Sequence, residues 1–158
     1  MKLSTKGRYA VTAMIDLAIN AKASPVTLAD ISVCQDISLS YLEQLMSMLR
    51  KHELVKGMRG PGGGYVLARP ADQITIADII TAVDERVDVT RCAGQEDCQG
   101  GARCLTHELW DELSQQLYSF LSTITLAKYL NRPDIQNIAQ KQERPLRQTQ
   151  YISSSQTA

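Results

Sequence analysis

The segment VTLADISVCQDISLSYLEQLMSMLRKHELVKGMRGPGGGYVLARP, residues 26–70, constrains the fold more than any other part of the chain. Thr27 reads as an N-cap with Asp30 at the third helical position, opening a short helix that runs to about Gln35. Asp36–Ser38 reads as a turn. Ser40 with Glu43 matches a capping box for a second helix through His52, whose inner face is Leu42, Leu45, Met46 and Leu49. Two short helices across a tight turn make a helix-turn-helix by pattern, although many helical hairpins look similar. The next residues narrow the choice. LVKGMR and YVLARP read as two strands flanking GPGGG at residues 60–64, and a hairpin directly after a helix-turn-helix is the winged-helix arrangement.

The flanking sequence completes a mainly α fold with a small β-wing. Tyr9, Ala13, Met14, Leu17 and Ala18 share one face of a helix over residues 5–20. Ile76, Ile79, Ile80 and Val83 do the same over 74–83, with Thr75 as cap. A long helix is predicted from Cys104. It carries Leu105, Leu109, Leu113, Leu117 and Leu121 at four-residue steps, with Trp110, Phe120 and Ile124 beside them. A stripe of that length exceeds what one small winged helix needs to cover, which points to the same helix of a second chain as its partner. The expected organisation is a winged-helix DNA-binding domain over 1–83 and a cysteine-bearing loop over 84–107. A dimerisation helix over 104–130 overlaps the end of the loop, and a disordered polar tail covers 131–158. There are no internal repeats.

A formal net charge of zero hides a division along the chain. Residues 1–70 hold nine Lys/Arg against five Asp/Glu, whereas residues 71–130 hold four against ten. A basic front on an acidic body suits a protein of which one part meets a polyanion; chance segregation of charge is the plainer account. No run of eighteen uncharged apolar residues is present and the N-terminus lacks a signal-peptide pattern, so the expected address is the cytoplasm, with no membrane partner.

A winged helix places its second helix in the major groove, where every base pair presents a distinct pattern of donors and acceptors. The outward candidates there are Ser38, Ser40, Tyr41, Glu43, Gln44 and Ser47. Gln44 can pair with adenine, and Glu43 can accept from a cytosine amino group while disfavouring sequences without that donor. Closing the capping box with Ser40 is the competing role for Glu43. Arg50 and Lys51 are candidates for phosphate, or simply partners of the helix C-terminal dipole. Arg59 sits where a wing would carry it to the minor groove, with Lys56 on the wing strand and Lys6 and Arg8 as further phosphate contacts. Gly60 and its neighbours allow a tight turn and close backbone approach to DNA. GPGGG is no P-loop, since neither Lys-Ser/Thr nor a helix follows it.

RCAGQEDCQGGARCLTH, residues 91–107, groups Cys92, Cys98, Cys104 and His107 with five, five and two residues between them. A reducing compartment disfavours a disulfide. Three thiolates and an imidazole make an accepted zinc set, but zinc ligand pairs usually lie two to four residues apart. A [2Fe–2S] cluster also takes four protein ligands, and longer loops can wrap the larger object. Spacing alone leaves both open and leans to iron–sulphur. Histidine in place of a thiolate tends to raise the reduction potential and can be lost more easily, which suits a site that is assembled and dismantled.

LSTKGRYAVTAM, ISLSYLEQL, RGPGGGY and the Cys-x5-Cys-x5-Cys-x2-His block, in this order over about the first 130 residues, resemble the IscR-like family of bacterial iron–sulphur cluster-sensing winged-helix transcription regulators. The resemblance implies a homodimer on a double-stranded DNA operator, holding one [2Fe–2S] cluster per chain through Cys92, Cys98, Cys104 and His107. It further implies that the cluster-assembly machinery donates the cluster, and that occupancy selects promoters and represses cluster-biogenesis genes. Two other readings compete: a zinc-stabilised winged-helix repressor without sensing, and a redox protein that uses the cluster for chemistry. The redox reading lacks any partner-cofactor motif or catalytic constellation, so no enzyme activity is expected.

Overall fold

A computed structural model describes residues 4–22 and 24–142 of the 158. Helix α1, Thr5–Asn20, is capped by the Ser4 hydroxyl, which accepts from the Lys6 amide. It buries Ala10, Ala13, Met14 and Leu17 completely. Helix α2, Leu28–Gln35, begins as expected: the Thr27 hydroxyl accepts from the Asp30 amide at 3.2 Å. It ends at Asp36, which adopts the left-handed conformation (φ 52°) that turns the chain and lets Ile37 point into the core.

Helix α3, Leu39–Lys51, starts two residues earlier than the capping-box pattern implies. Ser38, not Ser40, is the N-cap and accepts from the Tyr41 amide at 3.3 Å. The physical reason lies in the turn. Ile37 must stay buried and its carbonyl is held by the Ser32 hydroxyl at 2.6 Å, so the chain is already positioned to enter the helix at Leu39. Leu42, Leu45, Met46 and Leu49 are fully buried, and the opposite face is left to solvent.

Strands β1, Val55–Met58, and β2, Gly64–Leu67, pair antiparallel to form the wing. A third strand position, unforeseen in the sequence, comes from Val26. Its amide donates to the Tyr65 carbonyl at 3.0 Å and its carbonyl accepts from the Tyr65 amide at 2.8 Å. The wing is thereby stitched to the residue just before the α2 cap.

A 3-10 turn, Ala71–Gln73, leads into α4, Ile76–Ala82, where Thr75 and Asp78 form a complete capping box. The long helix predicted from Cys104 to residue 130 is instead two helices. Helix α5 is His107–Ser122, and α6, Leu126–Leu130, is capped by Thr125. The break is secured from outside: the Ile76 amide donates to the Ile124 carbonyl and the Leu126 amide to the Ile74 carbonyl, both at 2.9 Å. Leu126 is fully buried, so the C-terminal end of α5 is anchored in the winged-helix core while its N-terminal end projects with the cysteine loop.

The disordered tail expected from residue 131 does not begin there, because residues 133–142 are helical. Pro133 at the first helical position, Asp134 in the first turn and Ile135, Ile138 and Ala139 at helical spacing are its signature. The remainder of that expected tail lies outside the described residues.

Candidate functional site

Two surfaces carry the chemistry. On α3 the exposed side chains are Leu39, Ser40, Glu43, Gln44, Arg50 and Lys51, with Ser47 half-buried among them, and Ser38 is exposed at the cap. Successive residues advance about 100° around a helix, which puts Ser40, Glu43, Gln44 and Ser47 on one outward arc opposite the buried leucines. The shift of the N-cap to Ser38 frees Glu43 from any capping role, leaving its carboxylate to the outward arc. Tyr41 is only half-exposed. Its ring packs edge-on to Tyr9, with centroids 5.9 Å apart, so part of it serves packing between α1 and α3.

At the wing, Lys56 and Arg59 are exposed, and Gly60 takes a positive φ of 97° at the turn. Arg69 is turned to the protein, its guanidinium donating to the Glu53 carbonyl at 3.4 Å. Lys6 and Arg8 lie in the first turn of α1, Arg8 exposed and Lys6 half-buried. Leu39, 44% exposed at the N-terminus of α3, escaped the sequence reading because a leucine there looks like core.

The second surface is the loop before α5. Its entry is pinned by side chains: the Asp88 carboxylate accepts from the Thr90 amide and hydroxyl, both at 2.7 Å, and the Thr90 hydroxyl accepts from the Gly94 amide at 2.9 Å. Ser114 of α5, almost wholly buried, accepts from the Val89 amide at 2.9 Å. Further along, Gln99 and Ala102 exchange both backbone hydrogen bonds around Gly100 and Gly101, whose φ values of 61° and 89° are those a two-residue primed turn demands. This small hairpin folds the chain back so that the Cys104 amide donates to Cys98 Sγ at 3.2 Å.

The fold brings three of the four predicted ligands together. His107 opens α5, is 4% exposed, and its Nδ1 stands 3.5 Å from both Cys92 Sγ and Cys98 Sγ. All three donor atoms lie within 4.8 Å of one another. Cys104 precedes α5 rather than starting it. Its thiol turns to the Thr106 hydroxyl at 3.7 Å, yet it borders the same cleft of about 440 Å³ as Cys98, His107 and Trp110.

The thiols are not equivalent. Partial desolvation raises Cys92, but the Thr90 hydroxyl, the backbone of Glu96 and Gly94 and the Cys98 side chain outweigh it and bring it down to about 7. The Thr106 hydroxyl, foremost, lowers Cys104. The Cys104 amide lowers Cys98, but desolvation and the neighbouring thiols prevail and raise it. Thiolates are the metal-binding form, and hydrogen-bond donors aimed at sulphur favour them. Three soft or borderline donors lining the cleft, with Cys92 beside two of them, fit either zinc or a small iron–sulphur cluster. Cys34 lies apart, half-buried on α2, its thiol pushed up by burial and by the carboxylates of Asp16 and Asp30.

On α5 the expected leucine stripe proves to be a spiral. A four-residue step overshoots a full turn by about 40°, so the leucines drift around the helix. Leu105 lies before the helix and is fully exposed, Leu109 is 58% exposed and Leu113 38%, while Leu117 is half-buried and Leu121 packs on the core. Phe120, 62% exposed, joins Leu109 and Leu113 on the outward arc. The inward arc is polar where it meets the loop, with His107, Asp111 and Ser114. Among the described residues no helix is long and apolar enough to cross a membrane.

Comparison with known proteins finds relatives that span most of the chain. Residues 3–132 match the model of the Rrf2 family, described as an iron-dependent transcriptional regulator. The chain is 58% identical over 149 residues to the HTH-type transcriptional regulator IscR of Yersinia enterocolitica, covering 94% of this chain and 91% of that one. It is 56% identical, with the same coverage, to IscR of Serratia proteamaculans. Among solved structures it superposes on T. potens IscR with a TM-score of 0.67 at 38% identity, covering 82% of this chain and 86% of that one. CymR, the global cysteine regulator of B. subtilis, superposes with a TM-score of 0.70 at 36% identity, covering 82% and 95%.

Proposed function

Since the chain belongs to the Rrf2 family of transcriptional regulators, we propose that it binds operator DNA as a homodimer and reports iron–sulphur cluster supply through Cys92, Cys98, Cys104 and His107. The observation that carries the reading is the convergence of Cys92, Cys98 and His107 at the free end of α5, with Cys104 on the same cleft. When bound there, a [2Fe–2S] cluster, one per chain, supplies a labile, redox-active group whose presence depends on cofactor supply.

The protein's own residues supply the rest. The 92–104 loop is held by few backbone hydrogen bonds, so ligation of its thiols restricts a segment that is otherwise lightly tied. Restricting it biases the placement of α5, whose far end is locked to α4 and α6 through Ile124 and Leu126. The outward apolar arc of Leu109, Leu113 and Phe120 supports a second copy packing on α5. Two copies would present two α3 helices to a two-fold related site, with Ser38, Ser40, Glu43, Gln44 and Ser47 over base edges. Lys6, Arg8, Arg50, Lys51, Lys56 and Arg59 would lie along the backbone, with Tyr41 supporting the arc. The genes controlled would be those of cluster biogenesis, and the cluster-assembly machinery would be the donor.

Purification without oxygen tests the reading. The protein should be reddish-brown, with visible charge-transfer absorption and two irons and two sulphides per chain. Cys92→Ala should be colourless and should footprint differently from wild type across two unrelated promoters. A colourless wild type with stoichiometric zinc would establish the zinc-stabilised repressor instead.

A further inference from the structure

We propose that Arg103 is a positioning residue of the cluster site, clasping together the three chain segments that bear its ligands and so setting how readily the cluster is lost. This inference rests on the functional reading above. The Arg103 guanidinium donates through one terminal nitrogen to Glu96 and through the other to Glu108. Glu96 lies two residues before Cys98, Arg103 immediately before Cys104, and Glu108 immediately after His107. One side chain thus links the loop, its return arm and the first turn of α5.

The chemistry favours arginine for this task. Its planar guanidinium carries in-plane N–H donors on both terminal nitrogens, and ordering one side chain serves two pairings. Glu96 is held in the left-handed backbone region, with φ 63°, where a non-glycine residue gains from an external tether. Without Arg103, Glu96 and Glu108 would stand as like charges across the gap that the guanidinium fills, with Asp111 nearby. Both pairs are half-exposed or more, with side-chain exposures of 51%, 52% and 69% for Arg103, Glu96 and Glu108. Each alone is therefore weak and screened by salt. Their effect falls on the loop, whose return arm is otherwise held by the Gln99–Ala102 pair and the Cys104 amide on Cys98 Sγ, and not on the stability of the core.

The test compares cluster-loaded wild type with Arg103→Gln during chelator-driven bleaching, followed by visible absorbance without oxygen. Arg103→Gln should bleach about 2- to 10-fold faster at low salt. Raising salt should speed the wild type towards the variant and leave the variant unchanged. Glu96→Gln with Glu108→Gln should reproduce the faster rate, and adding Arg103→Gln to that pair should change nothing further. Arg103→Lys, a point charge without the fork, should recover only part of the difference. Loss of the nearby positive charge should also move the midpoint potential to more negative values. Cluster-free Arg103→Gln and wild type should melt together, since the clasp lies outside the core. Equal bleaching rates at every salt concentration would overturn the clasp while leaving cluster binding intact. A melting point of cluster-free Arg103→Gln clearly below that of cluster-free wild type would reduce Arg103 to a structural role. A wild type that takes up no iron and sulphide on reconstitution would overturn the functional reading and the clasp with it.

Discussion

Replacing Gly64 by alanine should detach the wing from the helix-turn-helix, and the size of the effect follows from distances in the fold. A Cβ at Gly64 would stand 2.5 Å from the Val26 carbonyl oxygen, 2.6 Å from its carbon and 3.1 Å from the Thr27 nitrogen. All three are backbone atoms and cannot rotate away. Reaching ordinary contact at 3.4 Å requires an opening of about 0.9 Å. The Tyr65 amide to Val26 carbonyl bond, now 2.8 Å, would then exceed the range of a hydrogen bond, and its return partner at 3.0 Å would go with it.

Two backbone bonds at about 0.5–1.5 kcal/mol each, plus residual crowding at buried Val26, sum to roughly 2–4 kcal/mol. For a domain of this size that is a fall in Tm on the order of 5–15 °C. Gly60→Ala is the matched control. Its Cβ would meet nothing within 4 Å, so only the positive φ of 97° matters, at about 1 kcal/mol. Thermal unfolding ranks the two variants, and hydrogen exchange at the Tyr65 amide locates the damage. Because Val26 precedes the Thr27 cap of α2, operator affinity should fall as well. A Gly64→Ala protein that melts no lower than Gly60→Ala, with Tyr65 still protected, would refute the reasoning.

Further expectations concern the two surfaces. Glu43→Ala should relax discrimination, tightening binding to operators that lack a cytosine donor at one position by about 1–3 kcal/mol, as read by competition binding against operator variants. Arg59→Ala should weaken binding to all sequences alike and lower the slope of log affinity against log salt by about one, as read from binding at a series of salt concentrations. Leu113→Glu, on the outward arc of α5, should shift sedimentation from dimer to monomer while leaving the Tm of the winged helix nearly unchanged, since Leu113 is 38% exposed and outside the core.

The parts of the fold that could be inferred beforehand are those decided by near neighbours in the chain. The caps at Thr27 and Thr75 form as their sequences suggest, because a hydroxyl and an amide three residues on need no outside help. The cap of α3 was misplaced by the Ser40–Glu43 pattern, since the true start depends on where Ile37 is buried. The leucine repeat does not stay on one face for a related reason. A spacing of four preserves residue type but not direction, and only Leu121 of the set reaches the core. The 133–142 helix was within reach, with Pro133 at its start and Ile135, Ile138 and Ala139 in step, but its polar composition outweighed that signal.

The four ligand candidates were evident from residue type and spacing, since thiols and imidazole gathered within seventeen residues have few other purposes. Their arrangement was not. His107 faces Cys92 and Cys98 because Gly100 and Gly101 turn the loop back and because Asp88, Thr90 and Ser114 pin its entry to α5. The same holds for the wing, where strand-forming residues foretold a hairpin but gave no sign that Val26 would dock against Tyr65. The local alphabet of caps, turns and apolar periods specifies which elements form, because those energies act over one helical turn. Which faces meet, and which side chains are left for a ligand or a partner, is set by contacts between residues far apart in the chain, and those exist only once the core of α1, α3 and α4 has closed.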